Sequence, residues 1–270
     1  MELVNEIHSV SLVHVVSLTI ASFFVGIFGG FVGLALGTIR LPIMLLLGIP
    51  PEIAGGTNIL VSSLASLSGT IRHVQAGRVR KDIVLAMGVP AVVGSMIGGF
   101  SSDSLPETFL LTAAGMLVAW QGIEFVAMSR GWLKSIVSTG ISTFNEKFSR
   151  VQLALEGGIG LSVGFIGGAV GLILGSIRLP ALIRILRVDP KIAAGSNLFI
   201  GFFMGVSGWF GHAVMGHVDY KLLICMGSTA VLGSYIGAYL TGKASLNVLI
   251  ATMGLVLFSV GILLIVSAYR

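Results

Sequence analysis

The sequence predicts an all-α integral membrane protein made of two homologous repeats of about five membrane segments each, with half-helices at the centre. Three observations predict it. Hydrophobic residues make up 55% of the 270-residue chain and charged residues only 10%, whereas soluble domains average about 25% charged. Apolar runs of roughly 20 residues, the length a helix needs to cross a bilayer, recur along the whole chain and leave no room for a soluble domain. A set of rare residues also appears twice, in register, about half a chain apart.

The remaining composition narrows the class. The 38 glycines suit membrane helices that pack closely or break. A formal charge of +5 does not point to nucleic acid, because the basic residues sit in short loops and read as topology signals. The single Cys225 excludes an internal disulfide and cannot build a thiolate metal site by itself. The first apolar run, 10–36, is too long for a signal-peptide core and lacks a basic leader, so it is read as a real span.

Taken in order, that run passes Gly26, Gly29, Gly30 and Gly33. Pro42 to Ile49 is long enough only for a half-helix, given the 1.5 Å rise per residue. Pro50-Pro51 stops it and opens the next helix, since proline is tolerated in a first turn. Gly55-Gly56 is expected to interrupt that helix early, before it resumes to Arg72. A basic loop (Arg72, Arg78, Arg80, Lys81), a span at 83–100, an acidic loop (Asp103, Glu107) and a span at 106–128 complete the first repeat, residues 1–128. Residues 129–150 mix Arg130, Lys134, Lys147 and Arg150 with Trp132, Ile136, Phe144 and Phe148, which reads as an amphipathic linker at the membrane surface. The second repeat is 151–270.

The two copies align closely. At an offset of 138, Gly29, Gly30, Gly33, Gly37, Arg40 and Pro42 map onto Gly167, Gly168, Gly171, Gly175, Arg178 and Pro180. One residue is inserted after that. At an offset of 139, Pro51, Asn58, Gly69, His73, Gly77, Gly94, Ser95 and Gly98 map onto Pro190, Asn197, Gly208, His212, Gly216, Gly233, Ser234 and Gly237. If the short Pro42 and Pro180 segments complete a crossing, each repeat crosses five times, and an odd number inverts the halves. With the N-terminus outside, thirteen of the 16 basic residues then lie inside, leaving Arg178, Lys221 and Arg270. Re-entrant segments would instead make the halves parallel and put the Arg184–Lys191 cluster outside. The positive-inside rule favours inversion.

The chemistry concentrates in the repeated motif. Arg40 and Arg178 lie deep in apolar sequence, where a charge is expensive and by default marks function, and arginine suits planar, bidentate recognition of an oxyanion. The bland alternative is snorkelling to the interface. Gly37-Thr38 and Gly175-Ser176 precede the arginines, and Thr57-Asn58 and Ser196-Asn197 follow them. Half-helices beginning at Pro42 and Pro180, and helices restarting at the asparagines, would offer free N–H groups to an anion. Transporters built from repeats place such breaks at the midplane. The alternative for Asn and hydroxyl groups is satisfying backbone left open by glycine. His73 and His212 are placed at helix ends near the interface, where a structural role outweighs proton coupling. Glu124 and Glu156 sit near inner ends of spans and could carry a proton, with solvation at the 129–150 surface as the plainer reading. No metal-ligand spacing, phosphate loop, nucleophile elbow or ATP-binding motif occurs, so no metal or cofactor is expected.

Gly-rich helices leading to a proline half-helix, each followed by Pro-x-x-Ala-x-Gly-[Thr/Ser]-Asn, resemble the sulfite exporter TauE/SafE family over essentially the whole chain. The resemblance implies a cofactor-free, multi-pass transporter of small sulfur-containing anions such as sulfite and organosulfonates, in the cell (inner) membrane. The expected partners are the oxyanion and the lipid bilayer, with no nucleic acid; a homo-oligomer is compatible with the sequence. Leu-Gly-Thr-Ile-Arg40 and Leu-Gly-Ser-Ile-Arg178 stand where the family often has a glycine cluster, which strengthens an anion site here. Two alternatives remain at the level of sequence. One is an anion channel. The other is a membrane-embedded lipid-pyrophosphate phosphatase, which needs clustered carboxylates, whereas only Glu52 lies near one motif and Lys191 replaces it in the other.

Overall fold

The computed structural model describes residues 11–32, 36–131, 149–184, 188–240 and 247–269, and no strand occurs among them. The first half contributes α1 (Leu12–Val32), the short α2 (Gly37–Leu46), α3 (Pro51–Gln75), α4 and α5 (Glu107–Ser129). Helix α4 is composite: Lys81–Ile83 leads through a π-helical turn at Val84–Gly88 into Val89–Ser101. The second half contributes α6 (Arg150–Val170), the short α7 (Gly175–Arg184), α8 (Pro190–Val214), α9 (Tyr220–Leu240) and α10 (Asn247–Ser267).

Local chemistry sets several boundaries. Ser149 and Gln152 form a capping box at the start of α6, satisfying two orphan N–H groups. Pro51 opens α3, where its missing N–H is no loss. Gly171 closes α6 in the left-handed region at φ 83°, a conformation that glycine adopts without strain. Of the surface linker expected at 129–150, residues 132–148 lie outside the described residues.

Among the described residues, five stretches are long and apolar enough to cross a membrane: Leu12–Gly29, Lys81–Ser104, Glu107–Ser129, Arg150–Val170 and Ile192–Val214. Their outer faces remain apolar, with Leu12, Val16, Ile20 and Phe24 on α1 and Leu85, Val89, Val93 and Ile97 on α4 exposed. In water such patches would drive association; in a bilayer they meet lipid. The protein is an all-α, multi-pass membrane protein.

The halves interlock through contacts that recur in exchange. Helix α1 packs along α9, and α6 packs along α4. A side chain at Gly94 or Gly98 would strike the main chain of Leu161 or Phe165, so glycine lets α4 and α6 approach backbone to backbone. The long helices α3 and α8 cross, and Ser63 Oγ donates to the Phe202 carbonyl at 2.8 Å. Ser95 Oγ donates to the Met204 carbonyl at 2.9 Å and Ser234 Oγ to the Ala65 carbonyl at 2.8 Å.

Two expectations about helix breaks are corrected. Gly55-Gly56 do not interrupt α3, which runs unbroken over Pro51–Gln75. These glycines serve close approach instead: a side chain at Gly55 would meet the Val170 carbonyl, and one at Gly56 the His217 carbonyl and the His212 ring. The half-helices also begin at Gly37 and Gly175, not at the prolines, which fall inside them. Pro42 brings no N–H to the i−4 carbonyl of Thr38, leaving a group that a regular helix would satisfy.

Candidate functional site

Arg40 and Arg178 lie on the half-helices α2 and α7 and are fully buried, at 1% and 0% exposure. Neither snorkels. Each is held from one long helix by an asparagine lying seven residues after its opening proline. Arg40 Nε donates to Asn58 Oδ1 at 3.3 Å, and Arg178 Nε donates to Asn197 Oδ1 at 3.1 Å. Asn58 Nδ2 donates in turn to the Gly37 carbonyl at 3.2 Å, and Asn197 Nδ2 to the Gly175 carbonyl at 3.1 Å. The asparagine thus fastens the first turn of each half-helix and aims its guanidinium. Because α3 and α8 are continuous, Asn58 and Asn197 offer side chains here, and not the free N–H groups of a restarting helix.

The remaining guanidinium contacts differ between the halves. Arg40 donates to Ser62 Oγ at 2.8 Å and Ser22 Oγ at 3.5 Å. Arg178 donates to Met204 Sδ at 2.8 Å and to the Asn197 carbonyl at 3.5 Å. Among the described residues Arg80 pairs with Asp82, and the His217 ring lies 3.5 Å from Asp103. No described carboxylate pairs with either buried arginine. A small cavity of about 10 Å³ lies beside Arg178, Asn197, Gly175, Gly201 and Ser66. A larger cavity of about 660 Å³ carries Glu52, Asp103 and Glu107 on its walls, a charge that repels anions.

The other sequence-predicted residues separate by what they touch. Thr57 Oγ1 accepts from the Asp219 N–H at 3.0 Å, and Ser196 Oγ accepts from the Arg80 N–H at 3.1 Å. Each hydroxyl pins the loop at the far end of the other half's long helix. Thr38 and Ser176 are buried two residues before the arginines, in the first turn of each half-helix, and the Thr38 hydroxyl makes no hydrogen bond. His212, in the last turn of α8, is fully buried. Its Nε2 lies 2.8 Å from the Gly168 carbonyl and its Nδ1 3.3 Å from Ser102 Oγ, a structural bridge between α8, α6 and the end of α4. His73 is partly buried, and so is Glu124.

Glu156 departs most from expectation. It is not solvated at a membrane surface: it is 0% exposed, and neither carboxyl oxygen has a hydrogen-bond partner. Sequence reasoning missed Ser22, Ser62, Ser66 and Met204. Ser62 stands one helical turn after Asn58, on the same face, and that spacing was the available signal. Ser22 and Met204 reach the site only through tertiary packing. No group of three or more His, Cys, Asp or Glu that could hold a metal occurs among the described residues.

This pair of buried arginine cradles in an all-helical membrane protein has recognisable relatives. The family described as Sulfite exporter TauE/SafE matches residues 18–264, which takes in both cradles. The probable membrane transporter protein YunE of Bacillus subtilis (strain 168) is 26% identical over 271 residues, covering 93% of this chain and 97% of its own. YdhB of the same organism, also a probable membrane transporter protein, is 27% identical over 81% of this chain and 87% of its own. A third, YjnA, is 25% identical over 85% of this chain and 91% of its own. No solved structure matches the chain. With the family match running from the first helix to the last, the protein belongs to the sulfite exporter TauE/SafE family and is a membrane transporter, not an enzyme.

Proposed function

We propose that the protein is a secondary transporter, working as an exporter in the cell (inner) membrane, of a small sulfur-containing oxyanion such as sulfite or an organosulfonate. One observation carries this reading: two guanidinium groups are wholly buried with no carboxylate paired to either among the described residues. An unpaired buried cation is costly, and a transported anion would offset that cost while it is bound. The first turns of α2 and α7 beside the arginines add the positive ends of two short helix dipoles.

The exchanged contacts between the halves support two inverted units, 1–128 and 151–270, that rock against each other around the α3–α8 crossing. For coupling, Glu156 fits better than His73, His212 or Glu124. It is the carboxyl in this group with full burial and no hydrogen bond, and intramembrane carboxyls of this kind mark proton relays. The test is reconstitution. Proteoliposomes preloaded with sulfite should show saturable counterflow of labelled sulfite, slowed by sulfoacetate or thiosulfate and indifferent to chloride. Sulfite movement no faster than in protein-free liposomes would overturn the substrate class.

A further inference from the structure

We propose that the anion is seated by the second half alone, on Arg178 and Asn197, and that Arg40 is a structural cation already satisfied by its own half. The inference rests on the proposed oxyanion transport and narrows it to one of the two cradles. The motif residues themselves do not show this division, because the arginine, the asparagine and the glycine before them are the same in both copies.

The difference lies in the residues around the guanidinium. Each of Arg40's three nitrogens meets a neutral oxygen: Asn58 Oδ1, Ser22 Oγ and Ser62 Oγ. Ser22 spends its own proton on the Met226 carbonyl at 2.8 Å, so its lone pairs are free to receive Arg40. In the second copy, the positions matching Ser22 and Ser62 are Gly160 and Gly201. Both hydroxyls are gone. In their place Arg178 has the Asn197 carbonyl at 3.5 Å and the thioether of Met204, and thioether sulfur is a weak acceptor. Met204 itself occupies the position of Ala65 in the first copy.

Space follows the same division. A side chain at Gly37 would run into Ser62 Oγ and come within 2.9 Å of Asn58 Nδ2, so the first cradle is filled. At Gly175 the nearest atom to such a side chain is Asn197 Nδ2 at 3.0 Å. A side chain at Gly201 would sit 3.0 Å from Ile173 Cγ2 and 3.1 Å from an Arg178 terminal nitrogen, close enough to press on both. That position holds no side chain, and the cavity of about 10 Å³ lies there, room for one water-sized group. In this form it admits a single oxygen of an oxyanion against the planar fork. The helix behind is asymmetric too. Residues 84–88 of α4 form a π-helical turn whose Met87 main chain faces Gly160, while the matching 223–227 of α9 are plain α-helix. Such turns concentrate at functional sites.

The experiment measures anion affinity by calorimetry on the full-length purified protein, with sulfite, methanesulfonate, sulfate, nitrate and acetate as probes, alongside a thermal melt of each variant. Arg178→Lys should weaken affinity tenfold or more, because lysine keeps the charge and loses the fork. Gly201→Ser should do the same while the melt holds or rises, since the new hydroxyl would supply the missing acceptor and fill the seat. Gly201→Ala, which fills space without the hydroxyl, keeps the result interpretable if the serine variant folds poorly. Ser62→Gly should lower the melting temperature and shift affinity less than threefold. Equal losses of affinity in Arg178→Lys and Arg40→Lys, or unchanged affinity in Gly201→Ser, would overturn the single-seat assignment. If the wild type binds nitrate or acetate but no sulfur oxyanion, the substrate class falls, and the same variants still decide the seat with the anion that binds. A wild type that binds none of the probes overturns both.

Discussion

Asn58→Ala is the substitution whose effect the structure specifies most fully. The side chain accepts from Arg40 Nε and donates to the carbonyls of Gly37 at 3.2 Å and Gly171 at 2.9 Å, so one amide joins α3, α2 and the other half. A hydrogen bond to a charged group contributes about 1.5–3 kcal/mol and a neutral one about 1 kcal/mol, giving roughly 3.5–5 kcal/mol for the three. Polar pairs measured inside membrane proteins average about 0.6 kcal/mol each, which lowers the sum to about 2 kcal/mol. The expected destabilisation is therefore about 2–5 kcal/mol, a large share of the roughly 5–15 kcal/mol that holds a folded domain together. Reversible unfolding in mixed micelles, followed by tryptophan fluorescence, measures it directly. Asn58→Asp should fall between wild type and alanine, since it keeps the acceptor for Arg40 and loses both donors. A loss below about 0.5 kcal/mol for Asn58→Ala would refute the claim that this amide ties the halves together.

Two further outcomes are expected. Glu156→Gln, which preserves shape and removes the ionisable group, should abolish accumulation driven by a pH gradient in proteoliposomes while sparing sulfite–sulfite exchange; gradient-driven accumulation at the wild-type rate would remove Glu156 from coupling. Cysteines placed at Gln75 and Met215 in a Cys225→Ser background should label with an impermeant maleimide from opposite sides of the membrane, and labelling of both from one side would establish parallel halves.

The class of protein and the identity of its central residues were legible from the chain alone, and what those residues do was not. Hydropathy and glycine content place the chain in a bilayer because lipid forces every span to be a continuous apolar helix. The twofold motif singles out Arg40, Asn58, Arg178 and Asn197, because chance does not repeat rare polar residues in register within apolar sequence. The structure pairs each arginine with its own asparagine. Local reading failed where glycine was concerned. Gly55-Gly56 read as a helix break, yet they sit inside an unbroken α3 and exist to let α6 and the loop after α8 come close. A glycine that breaks a helix and one that admits a neighbour look alike until the neighbour is in place. For the same reason, only the tertiary structure could decide that Thr57 and Ser196 hold the opposite half's loops, and that Glu156 lies buried without a partner. It also decided that the two arginines differ in their surroundings. Those surroundings are assembled from α1, α3 and α8, residues up to 26 positions from the arginine they serve, and proximity across that separation comes from packing, which no local pattern encodes.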